Sequence, residues 1–170
     1  GPPLFRAAAA LPAGTVLDRL ATVTQPHRDE LALRTGESTY LAVSDGRTGT
    51  YIATAESPRA IRHVGWVGQD VTLSGSAIGA ALDEPGITAT RTGAVEADIT
   101  AISRALPSTG KLGFAISIVG PEYRFGPNER PDHEPAIAAT VDTLSHEPGA
   151  DTPLTLPPNQ HADVTRSTVA

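Results

Sequence analysis

The sequence contains no cysteine, and Lys111 is its only lysine against twelve arginines. Without cysteine there is no disulfide framework and no thiolate metal site. The lysine deficit points to a GC-rich genome and says nothing of function. No apolar run approaches membrane-spanning length. No basic segment precedes the alanines of "GPPLFRAAAA", so no secretory signal is legible, and Gly1-Pro2 reads as a protease scar. The expected location is the cytoplasm. A basic face is lacking too. The net charge is −6 and the arginines are scattered, whereas a chain that grips phosphates by itself carries a basic surface. This chain is not expected to bind nucleic acid alone.

What is present suffices for one domain. Of the 170 residues, 39% are hydrophobic, and a chain this long buries roughly two thirds of its unfolded surface. Residues 1–3 read as the scar and N-terminal end, 4–147 as the domain, and 148–170 as a tail rich in Pro, Thr and Asp. Leu4–Leu11 reads as a short helix ended by Pro12 and Gly14. Thr15 is placed to cap a second helix striped by Val16, Leu17, Leu20 and Val23. Thr24 and Pro26 then start or kink a further helical segment that runs to Arg34 and stops at Gly36.

The period changes to two at "STYLAVS" (Ser38–Ser44). Asp45-Gly46 signals a hairpin there, with "TYIATA" returning. "IRHVGWVGQDVTL" reads as strand, bend and strand, and Ser76–Leu82 as a short helix. "GITATR", "DITAISRAL" and "KLGFAISIV" read as three more strands. In the last, Leu112, Phe114, Ile116 and Ile118 share a bulky face, and Gly113, Ala115, Ser117 and Val119 a small one. "HEPAIAATVDTLSHE" closes as a helix. The expected class is α+β with a largely antiparallel sheet.

Four features carry chemistry. The junction "VTLSGSAIGAAL" (Val71–Leu82) places Ser74, Gly75 and Ser76 before a helix, where free amides and a positive dipole end suit an anion. A serine there also caps the helix without any ligand. Neither G-x-S-x-G nor a P-loop fits the spacing. Histidines at 27, 63, 133, 146 and 161 lack metal-ligand spacing. His133 and His146 read as exposed, and His63 stands near Trp66. Glu96 and Asp98 would share the face of a strand, with Arg91 in range of either or of an anionic ligand. The small face bearing Ser117 either leaves a cavity with one hydroxyl or receives a closely packed helix.

Three blocks resemble one family in the same order: "LATVTQPHRDELALRTGESTYLAVSDG" (Leu20–Gly46), "VGQDVTLSGSAIGAAL" (Val67–Leu82) and "FAISIVGPEYRF" (Phe114–Phe125). They are similar to the effector-binding domain of IclR-type bacterial transcription regulators. The first block follows that family's "P-x-L-x-x-L-A-x-x-T-G-E-T-x-x-L-A-V", and "ISIVGP" its "L-S-V-S-G-P". The resemblance spans Leu4 to about His146. It implies a GAF-like fold: a curved antiparallel sheet flanked by helices, with a ligand pocket on its concave side. It also implies dimers or tetramers, no cofactor, and DNA binding only through a separate N-terminal winged helix-turn-helix that this sequence does not include.

Carried over position by position, the resemblance implies that the amides of Ala77 and Ile78 hold a small carboxylate effector. Val71 and His63 become wall positions. Glu96 becomes the acidic pocket residue, since "GAVE" resembles the family's "G-Y-A-x-D". Ile99 and Ala101 line the next strand, and Ser117 and Val119 take the two hydroxyl positions. The sequence departs from the family at Val119, where serine is usual, and at Ala101, where several members have cysteine. The stretch from Leu82 to Gly93 is shorter than usual. The expected function is therefore sensing of a small organic acid without catalysis, with His63 and Trp66 closing over the ligand. The alternative is a dimerisation domain whose pocket is filled by side chains such as Val119, Ile99 or Trp66. A small hydrolase using Ser76 or Ser117 is a third reading, and it needs a histidine within hydrogen-bond reach of the serine.

Overall fold

The computed structural model describes residues 13–108, 110–129 and 132–146. The expected helix over 4–11 and the tail over 148–170 lie outside them. The first element is one continuous helix, α1 (Ala13–Thr35), with Pro26 inside it. The reading of a break is thus corrected: Gly14 and Thr15 lie within the helix, and Thr24 caps nothing. A proline removes one helical hydrogen bond and crowds the carbonyls of the preceding turn. In that turn the Ala21 carbonyl accepts from Arg28 Nη2 at 2.9 Å and from Thr24 Oγ1 at 3.3 Å. Arg28 Nε also donates to Thr24 Oγ1 at 3.1 Å. Gly36, at φ +74°, ends the helix in the left-handed conformation that a residue without Cβ adopts freely.

Six antiparallel strands follow: β1 (Ser38–Ser44), β2 (Thr48–Ala55), β3 (Asp70–Thr72), β4 (Ala89–Thr92), β5 (Ile99–Leu106) and β6 (Gly113–Pro121). Their order across the curled sheet is β3-β2-β1-β6-β5-β4. The hairpin expected at Asp45-Gly46 is present. Gly46 lies at φ +95°, and Asp45 Oδ1 accepts from the amides of Arg47 and Thr48. Helix α2 (Ala77–Asp83) separates β3 from β4, and helix α3 (His133–Ser145) follows β6. The strand expected over the first half of "IRHVGWVGQDVTL" does not form. Residues 61–69 are loop, turned by Gly65 and Gly68 at φ +95° and +88°.

Both faces of the central strands are covered, so the molecule has two cores. On one face, Leu41, Val43, Ile102, Phe114, Ile116 and Ile118 pack under Leu20 and Leu31 of α1 and Ile137 and Leu144 of α3. This is the bulky face read from the alternation in β6. His133, expected to be exposed, is buried at the start of α3, its ring 5.4 Å from that of Phe125. On the other face Tyr40, Ala42, Tyr51, Ala101, Ala115 and Val119 pack with Trp66, Val71 and α2. The small residues of β5 and β6 on that side let α2 approach closely, and α2 itself is built from Ala, Gly and Ile. Among the described residues no helix is long and apolar enough to cross a membrane.

Candidate functional site

The small-residue face is roofed by α2 and by two loops, residues 56–69 and 93–98. Its centre is aromatic. Trp66 stacks on Tyr51 with ring centroids 5.0 Å apart, and Tyr40 meets Tyr51 edge-on at 5.3 Å. His63 stands edge-on to Trp66 at 4.2 Å. Tyr51 reaches this cluster through an irregularity in pairing. Leu41 faces Ala53 but Ala42 faces Tyr51, so β2 carries one extra residue there. A bulge of this kind turns the following side chains to the opposite face.

The two loops meet at one carboxylate. Glu96 Oε1 accepts from Trp66 Nε1 at 2.9 Å and contacts His63 Nε2 at 3.3 Å. The opposite ring nitrogen, Nδ1, lies 2.9 Å from the Tyr40 hydroxyl. A neutral imidazole protonated at Nε2 satisfies both contacts, donating to Glu96 and accepting from Tyr40. Burial pushes the pKa of His63 down, and Glu96 pulls it partly back. Burial likewise raises Tyr40, which keeps its hydroxyl protonated and able to donate. The side chain of Glu96 is 54% exposed, whereas that of His63 is 3% exposed, so the clasp has a wet end and a dry end. A cleft of about 300 Å³ opens beside the wet end, lined by Ile61, His63, Val64, Glu96, Ile99 and Pro121.

The residues singled out from sequence share this side of the sheet, with differences in detail. Val71, Ala77, Ile78, Ala101 and Val119 belong to the aromatic cluster, and Ile99 packs at its margin. Ser117 is fully buried, its hydroxyl 2.6 Å from that of Ser103 on β5. At the junction before α2, Ser76 is the N-cap: Oγ accepts from the Gly79 amide at 3.1 Å and donates to the Leu73 carbonyl at 2.9 Å. A Cβ on Gly79 would run into the Leu73 carbonyl, so the chain must have glycine there. Glu96 and Asp98 lie in a turn and not on a strand, with Asp98 at φ +64°. Arg91 pairs with neither, and its Nη1 donates to the Thr90 carbonyl at 2.8 Å. The bonds of Ser76 and Ser117 run to Leu73, Gly79 and Ser103, with no histidine among them, which removes the basis for the hydrolase reading. Tyr40, Tyr51 and Ser103 were missed. Tyr40 carried a signal, being a large residue in a strand that must be buried on both faces.

Residues 15–84 match the family model of the bacterial transcriptional regulator IclR C-terminal domain. Over that segment the chain is similar to the IclR C-terminal domain. The fold agrees over the remaining strands and α3. A candidate IclR transcriptional regulator from Silicibacter sp. TM1040 superposes with a TM-score of 0.70 at 19% identity, over 88% of this chain and 73% of that one. IclR from Thermotoga maritima gives 0.65 at 18%, over 76% and 68%. The effector domain of a candidate IclR regulator from Acinetobacter sp. ADP1 gives 0.62 at 16%, over 75% and 96%. No curated protein sequence matches.

Proposed function

We propose that this domain senses a small organic acid for a cytoplasmic transcription regulator, as a dimer or tetramer whose arrangement sets the spacing of its DNA-reading segments. The single observation that carries the reading is the clasp. Glu96 gathers a tryptophan and a histidine from the facing loop at the mouth of a cleft, and among the described residues these are the side-chain hydrogen bonds that join the two loops. A ligand that offers Glu96 a hydroxyl or amine competes for the carboxylate, frees Trp66, and gives its own carboxylate access to the amides of Ala77 and Ile78. Such a ligand acts by binding the open and closed arrangements with different affinities.

A second reading has its own support. Ala115, Ser117 and Val119 are fully buried, and the Ser117 hydroxyl is already taken by Ser103. A face filled in this way suits a domain that only dimerises its regulator. A thermal-shift screen against small mono- and dicarboxylates, hydroxybenzoates and amino acids decides between the two. A ligand at about a hundredfold its dissociation constant adds roughly 2.7 kcal/mol, several degrees in a domain this size. A hit lost in Glu96→Ala and Ser117→Ala supports sensing at this face. A folded protein that responds to nothing in the panel supports dimerisation alone.

A further inference from the structure

A second cleft lies at the far end of the same sheet. The eight residues of β5 separate Ile99, at the clasp, from Leu106, at this cleft, about 23 Å of strand. The cleft encloses about 480 Å³ where β5 ends, β6 begins and α2 ends. That volume lies within the range of small-molecule sites, about 300–1,000 Å³. Its walls are the side chains of Leu73, Leu82, Leu106 and Leu112, and its rim carries Lys111 and Asp83. Leu106 is buried, and the other three leucines are half-buried. Gly113 forms part of the floor, where a Cβ would press on Leu82 at 3.0 Å. Any larger residue there would have to displace the Leu82 side chain.

The rim charges set the ligand chemistry. Lys111 is the only ammonium side chain in the sequence, and it is exposed. Neither it nor Asp83 has an ion pair or side-chain hydrogen bond among the described residues. We propose that this cleft binds an amphipathic monocarboxylate, an aliphatic or aromatic acid, with its hydrocarbon body on the four leucines and its carboxylate on Lys111. A carboxylate pairs with an ammonium group far better at the edge of an apolar wall than in open water. Asp83 on the same rim repels a second carboxylate, so the cleft discriminates against diacids of equal length. The site lies apart from the clasp, although Leu73 and Leu82 also pack against the aromatic cluster.

The lone lysine makes the test specific. The protein is acetylated with an amine-reactive ester, and modification of Lys111 is followed by peptide mass spectrometry, which resolves it from the N-terminal amine. Octanoate is the probe, with suberate (the diacid of equal length) and acetate as comparisons. At twice its dissociation constant a ligand slows labelling about threefold, and octanoate is expected to do so while suberate and acetate do not. A thermal melt supplies the second arm: octanoate raises Tm in the wild type and not in Lys111→Gln, an exposed substitution that leaves the fold intact. Lys111 labelling that octanoate leaves unchanged overturns the proposal. So does equal protection by suberate, or a Tm rise that survives in Lys111→Gln. Protection of Lys111 that persists in Ser117→Ala keeps this site apart from the sensing face, whatever the carboxylate screen finds there.

Discussion

Glu37 and Arg124 form a two-pronged ion pair across the molecule. Nε of Arg124 lies 2.7 Å from Oε2 of Glu37 and Nη2 lies 2.9 Å from Oε1. Glu37 is almost fully buried, between α1 and the first strand, and Arg124 sits in the short turn after β6. Nη2 also donates to the Ile61 carbonyl at 2.8 Å, so one guanidinium ties the helix-to-strand corner, the post-β6 turn and the loop that carries His63. Gly120 makes room for the carboxylate, since a Cβ there would strike Glu37 Oε1.

Removing one partner of such a pair strands the other charge. Arg124→Met is expected to cost about 3–5 kcal/mol because the Glu37 carboxylate stays buried without its cation. Replacing both, as Glu37→Gln with Arg124→Met, is expected to recover part of that loss. Urea unfolding of the two variants measures it. A single variant as stable as the wild type would show that the pair has no structural weight.

The start of α2 gives a graded pair of substitutions. Ser76→Ala removes the cap on the Gly79 amide and is expected to cost about 1 kcal/mol. Gly79→Ala is expected to cost more, about 1–3 kcal/mol, because the obstacle is the Leu73 backbone and not a mobile side chain. Thermal melts rank them, and the reverse order would contradict the close approach of Gly79 to the Leu73 carbonyl.

Burial lowers the pKa of His63 below its ordinary value near 6.5. The unfolded chain therefore takes up the proton first as the pH falls. The contribution of His63 to stability is complete above about pH 6.5 and is lost as the pH drops from there towards the folded-state value. His63→Gln keeps a polar group between Tyr40 and Glu96 but does not titrate. Urea midpoints at about pH 7.5 and pH 5.5 are expected to differ more for the wild type than for this variant. Equal differences would mean that His63 takes up its proton alike in the folded and unfolded chain.

Trp66 is the only tryptophan and is 3% exposed, so its fluorescence reports the clasp directly. Glu96→Ala removes the acceptor of its indole N–H. Because Glu96 is half exposed, the expected loss of stability is modest, roughly 1 kcal/mol. The expected signature is a red-shifted emission as the roof loops separate. An emission maximum identical to the wild type would show that stacking on Tyr51 alone holds the indole in place.

Periodicity revealed most of the sheet, because strands with one bulky and one small face repeat every second residue. It failed where the backbone breaks that period. In residues 61–69 the apolar Ile61, Val64, Trp66 and Val67 mimic a strand, yet Ile61, Val64 and Val67 are exposed while His63 and Trp66 are buried. The glycines at 65 and 68, with positive φ, turn the chain so that alternation no longer describes it. The bulge that carries Tyr51 into the aromatic cluster leaves no local mark in "TYIATA". Pro26 misled because the helix continues through it from Ala13 to Thr35, and one missing N–H is a local loss that the packing of α1 against the sheet outweighs. The Glu96 contacts span 30 and 33 residues; only the family resemblance brought Glu96 and His63 together.

The two cores share a wall one peptide thick. Tyr40 and Ala42 look into the aromatic side, while Leu41 and Val43, their immediate neighbours in β1, look into the side covered by α1 and α3. Neither core relaxes alone, because a shift of either set of side chains displaces the same backbone. A swelling of the aromatic side by a fraction of an ångström reaches α1 as a change in the seat of Leu20 and Leu31. Because the two interiors are close-packed on one backbone, strain on either side is carried to the other through β1.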